Sequence, residues 1–212
     1  CVYIYTWSNL SAVIIQCIFP KLLITNFAIA LAFLMIYIML QIPENKIDAL
    51  TQLENRVAFL EEVNHEVHNK KHFFLLAVKL ENLDNINEMI GIVLANSVLR
   101  QFAQTLMDAA KEAGVYRISG AKFVYIGWSQ EETQLIVDQI EDRVKKGFEV
   151  HDMVVQVKVK YGLAWYPQHG GSVKELENAI QYCLESKVQN GDEKVVCADE
   201  KMIENLKRKD EI

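Results

Sequence analysis

The sequence has little proline, few cysteines and no excess of basic residues. Three prolines and nine glycines in 212 residues are far fewer than a disordered or collagen-like chain contains. The four cysteines show neither Cys-x-x-Cys spacing nor a disulfide framework, which indicates buried or membrane thiols in a reducing compartment. The net charge is −6, so the chain lacks the basic surface that binds duplex nucleic acid. The composition fits an ordinary folded domain with no nucleic-acid partner.

Charge is nearly absent from residues 1–41, where Lys21 is the single charged side chain. Residues 22–41 form an almost continuous apolar run, which has the length of a transmembrane helix. Residues 2–19 are uncharged but more polar, and they are followed by Pro20, which favours a second span with a turn there. A cleaved signal peptide is the main alternative, but the basic leader of such a peptide is missing. The sequence therefore predicts two transmembrane helices.

Hydrophobic periodicity predicts the elements of the remaining chain. Apolar residues at three- and four-residue intervals predict helices over 47–68, 94–110, 131–144 and 173–188, with a charged last helix from Asp199. Strands are predicted over 72–80, 115–118, 122–126, 153–165 and 194–197, with a turn at 119–120. Because the strands do not alternate strictly with helices, this order indicates an α+β domain with helices packed on a mixed sheet.

Three segments of the second part of the chain form a recognisable set. Residues 48–56 read Asp-Ala-Leu-Thr-Gln-Leu-Glu-Asn-Arg, residues 117–123 read Arg-Ile-Ser-Gly-Ala-Lys-Phe, and residues 161–167 read Tyr-Gly-Leu-Ala-Trp-Tyr-Pro. This set resembles the GGDEF domains, the family of diguanylate cyclases, with Gln52 in place of a motif glycine. The resemblance covers residues 48–198. It implies a palm-like sheet related to nucleotidyl cyclases, and a dimer that condenses two GTP molecules into cyclic diguanylate.

The residues that would hold metal in this family are replaced. The resemblance places a metal-binding aspartate where this chain has Lys79, and an acidic pair where it has Ala121 and Lys122. Phosphoryl transfer needs a divalent ion to neutralise the triphosphate, and ammonium groups repel that ion. We therefore expect no catalytic residue, no metal ligand and no Mg-GTP cofactor. The signature hairpin would keep its backbone shape through Gly120; its residues are Ser119, Gly120, Ala121, Lys122 and Phe123.

Of the other positions that the resemblance assigns to nucleotide contacts, some match the family and some do not. Asn87 matches an asparagine that reads the guanine edge, Asn96 stands where the family has an aspartate, and Lys187 matches a phosphate-contacting lysine. These residues predict weak GTP binding, with two exposed polar asparagines as the alternative interpretation. The family's inhibitory product site would fall on Ala110 and Ala113, and it is absent.

Three functions remain open for this domain. The first is an inactive, homodimeric regulatory module of cyclic-diguanylate signalling, with residues 42–198 in the cytoplasm and residues 1–41 in the inner membrane. The second is an active cyclase that recruits metal through Glu81 and Asp84, although pairing of Glu81 with Lys79 or Lys122 is the simpler role. The third is a receptor that binds a purine nucleotide without turnover.

Two polar segments can each be interpreted either as solvated surface or as a functional element. His65, His68 and His72 have a spacing that suits a metal site, but a solvated helix end is the preferred interpretation. Residues 199–212 read as a solvated terminal helix, and they also resemble the connector that leads from a GGDEF domain into an EAL phosphodiesterase domain. We expect such a domain in the same chain, with a protein that ends near Ile212 as the alternative.

Overall fold

The structure is a computed structural model that describes residues 24–41, 46–110, 114–186 and 195–198, together with Trp7. The chain divides into two compact units, Cys1–Asn45 and Lys46–Ile212. The predicted connector at 199–212 lies outside the described residues.

Helix α1 spans Ile24–Gln41 in the first unit. Its 18 residues rise about 27 Å. Within the described part of the chain, no helix combines the length and the apolar character that crossing a membrane requires. The membrane span predicted over 22–41 stays a prediction. The second predicted span, 2–19, lies outside the described residues except for Trp7.

The second unit contains a six-stranded mixed sheet. Its strands in spatial order are β1 Glu54–Asn55, β3 Val115–Ser119, β4 Lys122–Gly127, β2 Phe73–Leu80, β7 Val159–Tyr166 and β8 Val195–Cys197. The pairs β3–β4, β4–β2 and β2–β7 are antiparallel, whereas β1–β3 and β7–β8 are parallel. A separate hairpin joins β5 Phe148–Val150 to β6 Met153–Val155. The predicted α+β class is confirmed.

Helices cover both faces of this sheet, because the side chains of its strands alternate in direction. The helices are α2 Arg56–His68, α3 Leu83–Ile90, α4 Ile92–Ala110, α5 Gln130–Lys146 and α6 Val173–Glu185. Phe74 and Leu76 of β2 pack in one core with residues of α4 and α5. Leu75 and Ala77 point to the other face and pack in a second core with residues of α2 and α6.

The predicted helix over 47–68 begins nine residues later than expected. The Asp48 carboxylate accepts hydrogen bonds from the backbone N–H groups of Leu50 and Thr51, at 3.2 and 2.8 Å, and these bonds hold a turn. Gln52 follows with a φ of 60°, a left-handed conformation that favours glycine. This conformation explains why the family motif has glycine at this position. Asn55 then caps α2.

The predicted long strand over 153–165 is wrong, because it is two strands in two different sheets. The side chain of Asn82 separates them, since it donates to the carbonyl of Gln156 at 3.0 Å and accepts from the N–H of Lys158 at 2.8 Å. These bonds occupy backbone groups that would otherwise pair in a sheet. Helix α3 was not predicted. Gly91, with a φ of 81°, separates it from α4.

Candidate functional site

Three lysines lie side by side on the adjacent strands β4, β2 and β7, near one end of each strand. The register of β2 places Lys79 directly opposite Lys122 of β4 on one side and Lys160 of β7 on the other. Directly opposite residues of antiparallel strands project to the same face. That face is the one that α2 and α6 cover, because it also carries Leu75 and Ala77. We refer to Lys122, Lys79 and Lys160 as the lysine row.

The two outer lysines of the row have partners. Lys122 Nζ donates a hydrogen bond to Gln181 Oε1 of α6, and Gln181 in turn donates to Glu185. Lys160 Nζ lies 2.9 Å from Glu81 Oε1. Burial lowers the pKa of Lys122, the charge of Lys79 lowers it further, and Glu185 and Glu177 act in the opposite direction.

Lys79, the central member of the row, is only partly buried. Among the described residues, its ammonium group makes no ion pair and no side-chain hydrogen bond. The prediction that Glu81 pairs with Lys79 or Lys122 is wrong, because Glu81 pairs with Lys160. The Glu81 N–H donates to the carbonyl of Lys158 at 2.8 Å, so Lys160, two residues after Lys158, is the diagonal neighbour of Glu81 on the same face of the sheet.

A pocket of about 280 Å³ lies beside Lys122, between α2, α6 and the hairpin of β3 and β4. Its floor includes Phe59, which is fully buried. On its rim the Arg56 guanidinium contacts both carboxylate oxygens of Glu177, at 3.0 and 3.2 Å. The pocket therefore has an apolar floor and a rim with side chains of both charges. Glu177 is paired with Arg56, and Lys122 donates to the neutral Gln181 and not to a carboxylate.

A partly buried ion pair stabilises the signature hairpin. Arg117 Nη1 lies 2.7 Å from Asp48 Oδ1, and the same guanidinium donates twice to the carbonyl of Gly120, at 3.0 and 2.8 Å. Burial raises the pKa of the Asp48 carboxyl, but hydrogen bonds from Arg117 and Thr51 outweigh burial and leave the pKa below its ordinary value. These bonds link the turn before α2 to the turn of the hairpin.

The Asp48 carboxylate is expected to stabilise the domain substantially. We expect Asp48→Ala to lower the free energy of unfolding by about 3 kcal/mol, because it leaves the Arg117 guanidinium partly buried without its counter-charge. Asp142→Ala is the matched control, since Asp142 pairs with Lys145 at a site where both side chains are more than 60% exposed. That change is expected to cost about 0.5 kcal/mol or less. Urea unfolding measures both, and equal small effects would contradict the expectation.

The residues of the signature hairpin become more buried from Ser119 to Phe123. Ser119 and Gly120 form an exposed turn, Ala121 and Lys122 are partly buried, and Phe123 is fully buried. The Phe123 ring packs edge-on against Phe102 of α4, with centroids 5.5 Å apart. Ser119 and Gly120 form the turn between the antiparallel strands β3 and β4.

Of the three residues predicted to contact the nucleotide, the structure describes two, Asn87 and Asn96. Asn87 lies in α3 and Asn96 in α4, and both are partly buried. Their helices pack on the face of the sheet opposite α2 and α6, and neither asparagine lines the pocket beside Lys122. Lys187 lies outside the described residues. The prediction of a site from Asn87, Asn96 and Lys187 stays untested.

The donor groups at the lysine row do not fit a magnesium ion. Mg²⁺ takes oxygen ligands, whereas residues 79 and 122 present ammonium groups, and Glu81 is paired with Lys160. The described part of the chain contains no group of three His, Cys, Asp or Glu side chains arranged to hold a metal. That result includes the predicted histidines, of which His65 contacts Asn69 at 2.9 Å on an exposed surface.

Several residues of this site could not be found from the sequence. Lys160 joins the row only through the register of β2 and β7, which periodicity does not specify. Gln181 of α6 contacts Lys122 of the hairpin, and Glu177 of the same helix contacts Arg56 of α2. Their spacing of four residues was the signal that they share a helix face.

A family model described as "Diguanylate cyclase, GGDEF domain" matches residues 45–194. The chain belongs to the GGDEF family. The GGDEF domain of TpbB, also called YfiN, from Pseudomonas aeruginosa is similar in structure, with a TM-score of 0.64 and 20% identity; the match covers 76% of this chain and 99% of that one. These values establish the GGDEF fold, including its palm-like mixed sheet.

Two further relatives are similar over most of this chain. The coiled coil and GGDEF domain of DgcB from Caulobacter crescentus, solved with c-di-GMP, has a TM-score of 0.62 and 18% identity over 82% of this chain and 96% of that one. The uncharacterized protein y4lL of Sinorhizobium fredii is 26% identical over 167 residues, which are 76% of this chain and 20% of the relative. The chain spans about a fifth to a quarter of the length of the curated relatives it matches.

Proposed function

We propose that this GGDEF domain is catalytically inactive and serves as a regulatory, dimerising module in cyclic-di-GMP signalling. The observation that carries the proposal is the pairing of Lys79 with Lys122 across neighbouring strands, at the positions that the family resemblance assigns to metal-binding carboxylates. Two ammonium groups side by side repel a divalent cation.

Loss of the metal would remove the main source of catalysis in phosphoryl transfer. The triphosphate of GTP repels an attacking hydroxyl, and metal ions neutralise the charge that develops in the transition state. A lysine can bind a phosphate oxygen as a point charge, but it cannot bridge several oxygens and position them as a coordinated metal does. We therefore expect any bound nucleotide to persist without turnover.

The alternative of an active cyclase would need metal at Glu81 and Asp84. Glu81 is engaged by Lys160 at 2.9 Å, and Asp84 lies exposed in the first turn of α3. Two carboxylates in such surroundings are a poor Mg²⁺ site, because one is already neutralised by a cation. Continuation into a phosphodiesterase domain, homodimer formation and an inner-membrane location stay predictions.

We expect purified protein with GTP and either Mg²⁺ or Mn²⁺ to form no cyclic diguanylate. Liquid chromatography with mass spectrometry measures the product, with an active diguanylate cyclase assayed in parallel as the positive control. Steady product formation that disappears in Glu81→Gln would overturn the proposal and favour the active cyclase.

A further inference from the structure

We propose that the pocket between α2, α6 and the hairpin of β3 and β4 binds a small monoanion with an apolar body, such as an aryl or alkyl carboxylate. This inference goes beyond the proposed function, because it gives the domain a small-molecule ligand whether or not a nucleotide binds or turns over. The pocket is separate from the centre of the lysine row, since neither Lys79 nor Lys160 lines it.

Three apolar side chains line the pocket, one from each of the elements around it. Phe59 of α2 and Ile180 of α6 are at most 3% exposed, and Ile118 of β3 is partly buried. All three pack in the core between α2, α6 and the sheet, so packing fixes the shape of this surface. An apolar ligand body that lies against it leaves water without any rearrangement of the domain.

Three polar groups with hydrogen-bonding capacity face the same space. The Lys122 ammonium has three N–H groups, and among the described residues one of them donates to Gln181. The Ser119 hydroxyl and the Asn178 amide also line the pocket, and neither makes a hydrogen bond with another described residue. A carboxylate has two oxygens that accept several hydrogen bonds, so it can use these donors together.

The charged side chains of the pocket favour a ligand with a single negative charge. They are Arg56, Lys122 and Glu177, two cations and one carboxylate. Arg56 neutralises Glu177 through contacts of 3.0 and 3.2 Å, so the remaining charge is that of Lys122. Burial and the neighbouring charge of Lys79 lower the pKa of Lys122, and a bound anion would stabilise its charged form.

The size of the pocket suits a small molecule rather than a nucleotide. Its volume of about 280 Å³ is the space of roughly nine water molecules. Pockets for drug-sized ligands begin at about 300 Å³. One ring or a short alkyl chain with an acid group is therefore the size of ligand that we expect.

Calorimetry with phenylacetate, hexanoate, phenylacetamide, acetate and inorganic phosphate tests the inference. We expect phenylacetate or hexanoate to bind at millimolar concentration. Phenylacetamide should bind about tenfold more weakly than phenylacetate or worse, because it lacks the charge that Lys122 recognises. Acetate should also bind more weakly, because it lacks the apolar body. Inorganic phosphate tied more tightly than both test acids would overturn the inference, because the apolar surface would then contribute nothing.

Variants of two lining residues separate this pocket from the rest of the lysine row. We expect Lys122→Gln to weaken phenylacetate binding by about tenfold or more, and Lys122→Arg to keep most of the affinity. Lys160→Gln is the matched control, because Lys160 lies on the same face of the sheet but does not line the pocket. Asn178→Phe fills the pocket without changing its charge, so it should remove binding.

Circular dichroism of each variant distinguishes loss of binding from loss of folding. The inference is wrong if neither phenylacetate nor hexanoate binds the unaltered protein. It is also wrong if folded Lys122→Gln and Asn178→Phe both bind phenylacetate as the unaltered protein does, or if Lys160→Gln weakens binding as much as Lys122→Gln. None of these results bears on turnover, and synthesis of cyclic diguanylate would overturn the proposed function alone.

Discussion

The domain is expected to lose up to about 4 kcal/mol of its free energy of unfolding when the pH rises to about 11. The cause is a set of three tyrosines that are at most 5% exposed, Tyr116, Tyr125 and Tyr161. Burial raises the pKa of all three phenols, and burial together with the charge of Glu132 raises the pKa of Tyr125 from 10.0 to about 12. Nearby carboxylates add to the effect, as at Tyr161, whose hydroxyl donates to Glu141 at 2.9 Å.

The sign follows from proton binding in the two states. Above the ordinary tyrosine pKa the unfolded chain has released these protons, whereas the folded domain still holds them. The unfolded state then binds fewer protons, so stability falls as pH rises, by about 1.4 kcal/mol per pH unit for each tyrosine. Lys122 acts in the opposite direction, because its lowered pKa lets the folded state release a proton first. One lysine opposes three tyrosines, so the net effect is destabilising.

Urea unfolding at several values of pH from neutral to strongly alkaline measures this loss. Tyr125→Phe is the most informative variant, because burial and the charge of Glu132 are the whole cause of the Tyr125 shift. It should reduce the alkaline slope by roughly a third, since one of three groups no longer titrates. A stability that stays constant over this range, or an unchanged slope in Tyr125→Phe, would show that the buried phenols do not control alkaline unfolding.

The hydrophobic pattern was sufficient to predict most of the sheet. The dense apolar run that ends at Leu80 and the Ser119-Gly120 turn each correspond to an observed strand or hairpin. Burial on both faces explains this success, because β2 is apolar at nearly every position and has no other stable environment. Predictions failed where one polar side chain redirects the backbone, as Asp48 does before α2 and Asn82 does before β7.

The candidate site was predicted less completely than the fold. Comparison with the family motif was sufficient to identify Lys79 and Lys122, but not their partners. Which carboxylate faces which lysine depends on where a strand ends and on how two strands align, and periodicity specifies neither. Glu81 illustrates this point: alternation places it on the face that carries Lys79, but the register of β2 and β7 pairs it with Lys160 on that same face.

Restoring carboxylates at the two central positions is expected to make nucleotide binding depend on magnesium. Residues 79 and 122 are directly opposite in antiparallel strands, so acidic side chains there can share one cation. For Lys79→Asp/Lys122→Glu we expect Mg²⁺ to strengthen GTP binding by about tenfold or more, because two carboxylates and phosphate oxygens form an ordinary Mg²⁺ site. In the unaltered protein the two ammonium groups should prevent such a gain.

The control must separate two effects of the double substitution: the addition of metal-binding carboxylates and the removal of ammonium groups that repel Mg²⁺. Lys79→Asn/Lys122→Gln removes both ammonium groups without adding a carboxylate, so it should bind GTP weakly with and without Mg²⁺. Calorimetry of the three proteins in EDTA and in Mg²⁺ gives the comparison. If the acidic variant binds GTP no better with Mg²⁺ than without it, the lysines are not what prevents metal binding. Glu185 and Glu177, which lie near Lys122, would then be the next groups to neutralise, because their charge disfavours a further carboxylate at position 122.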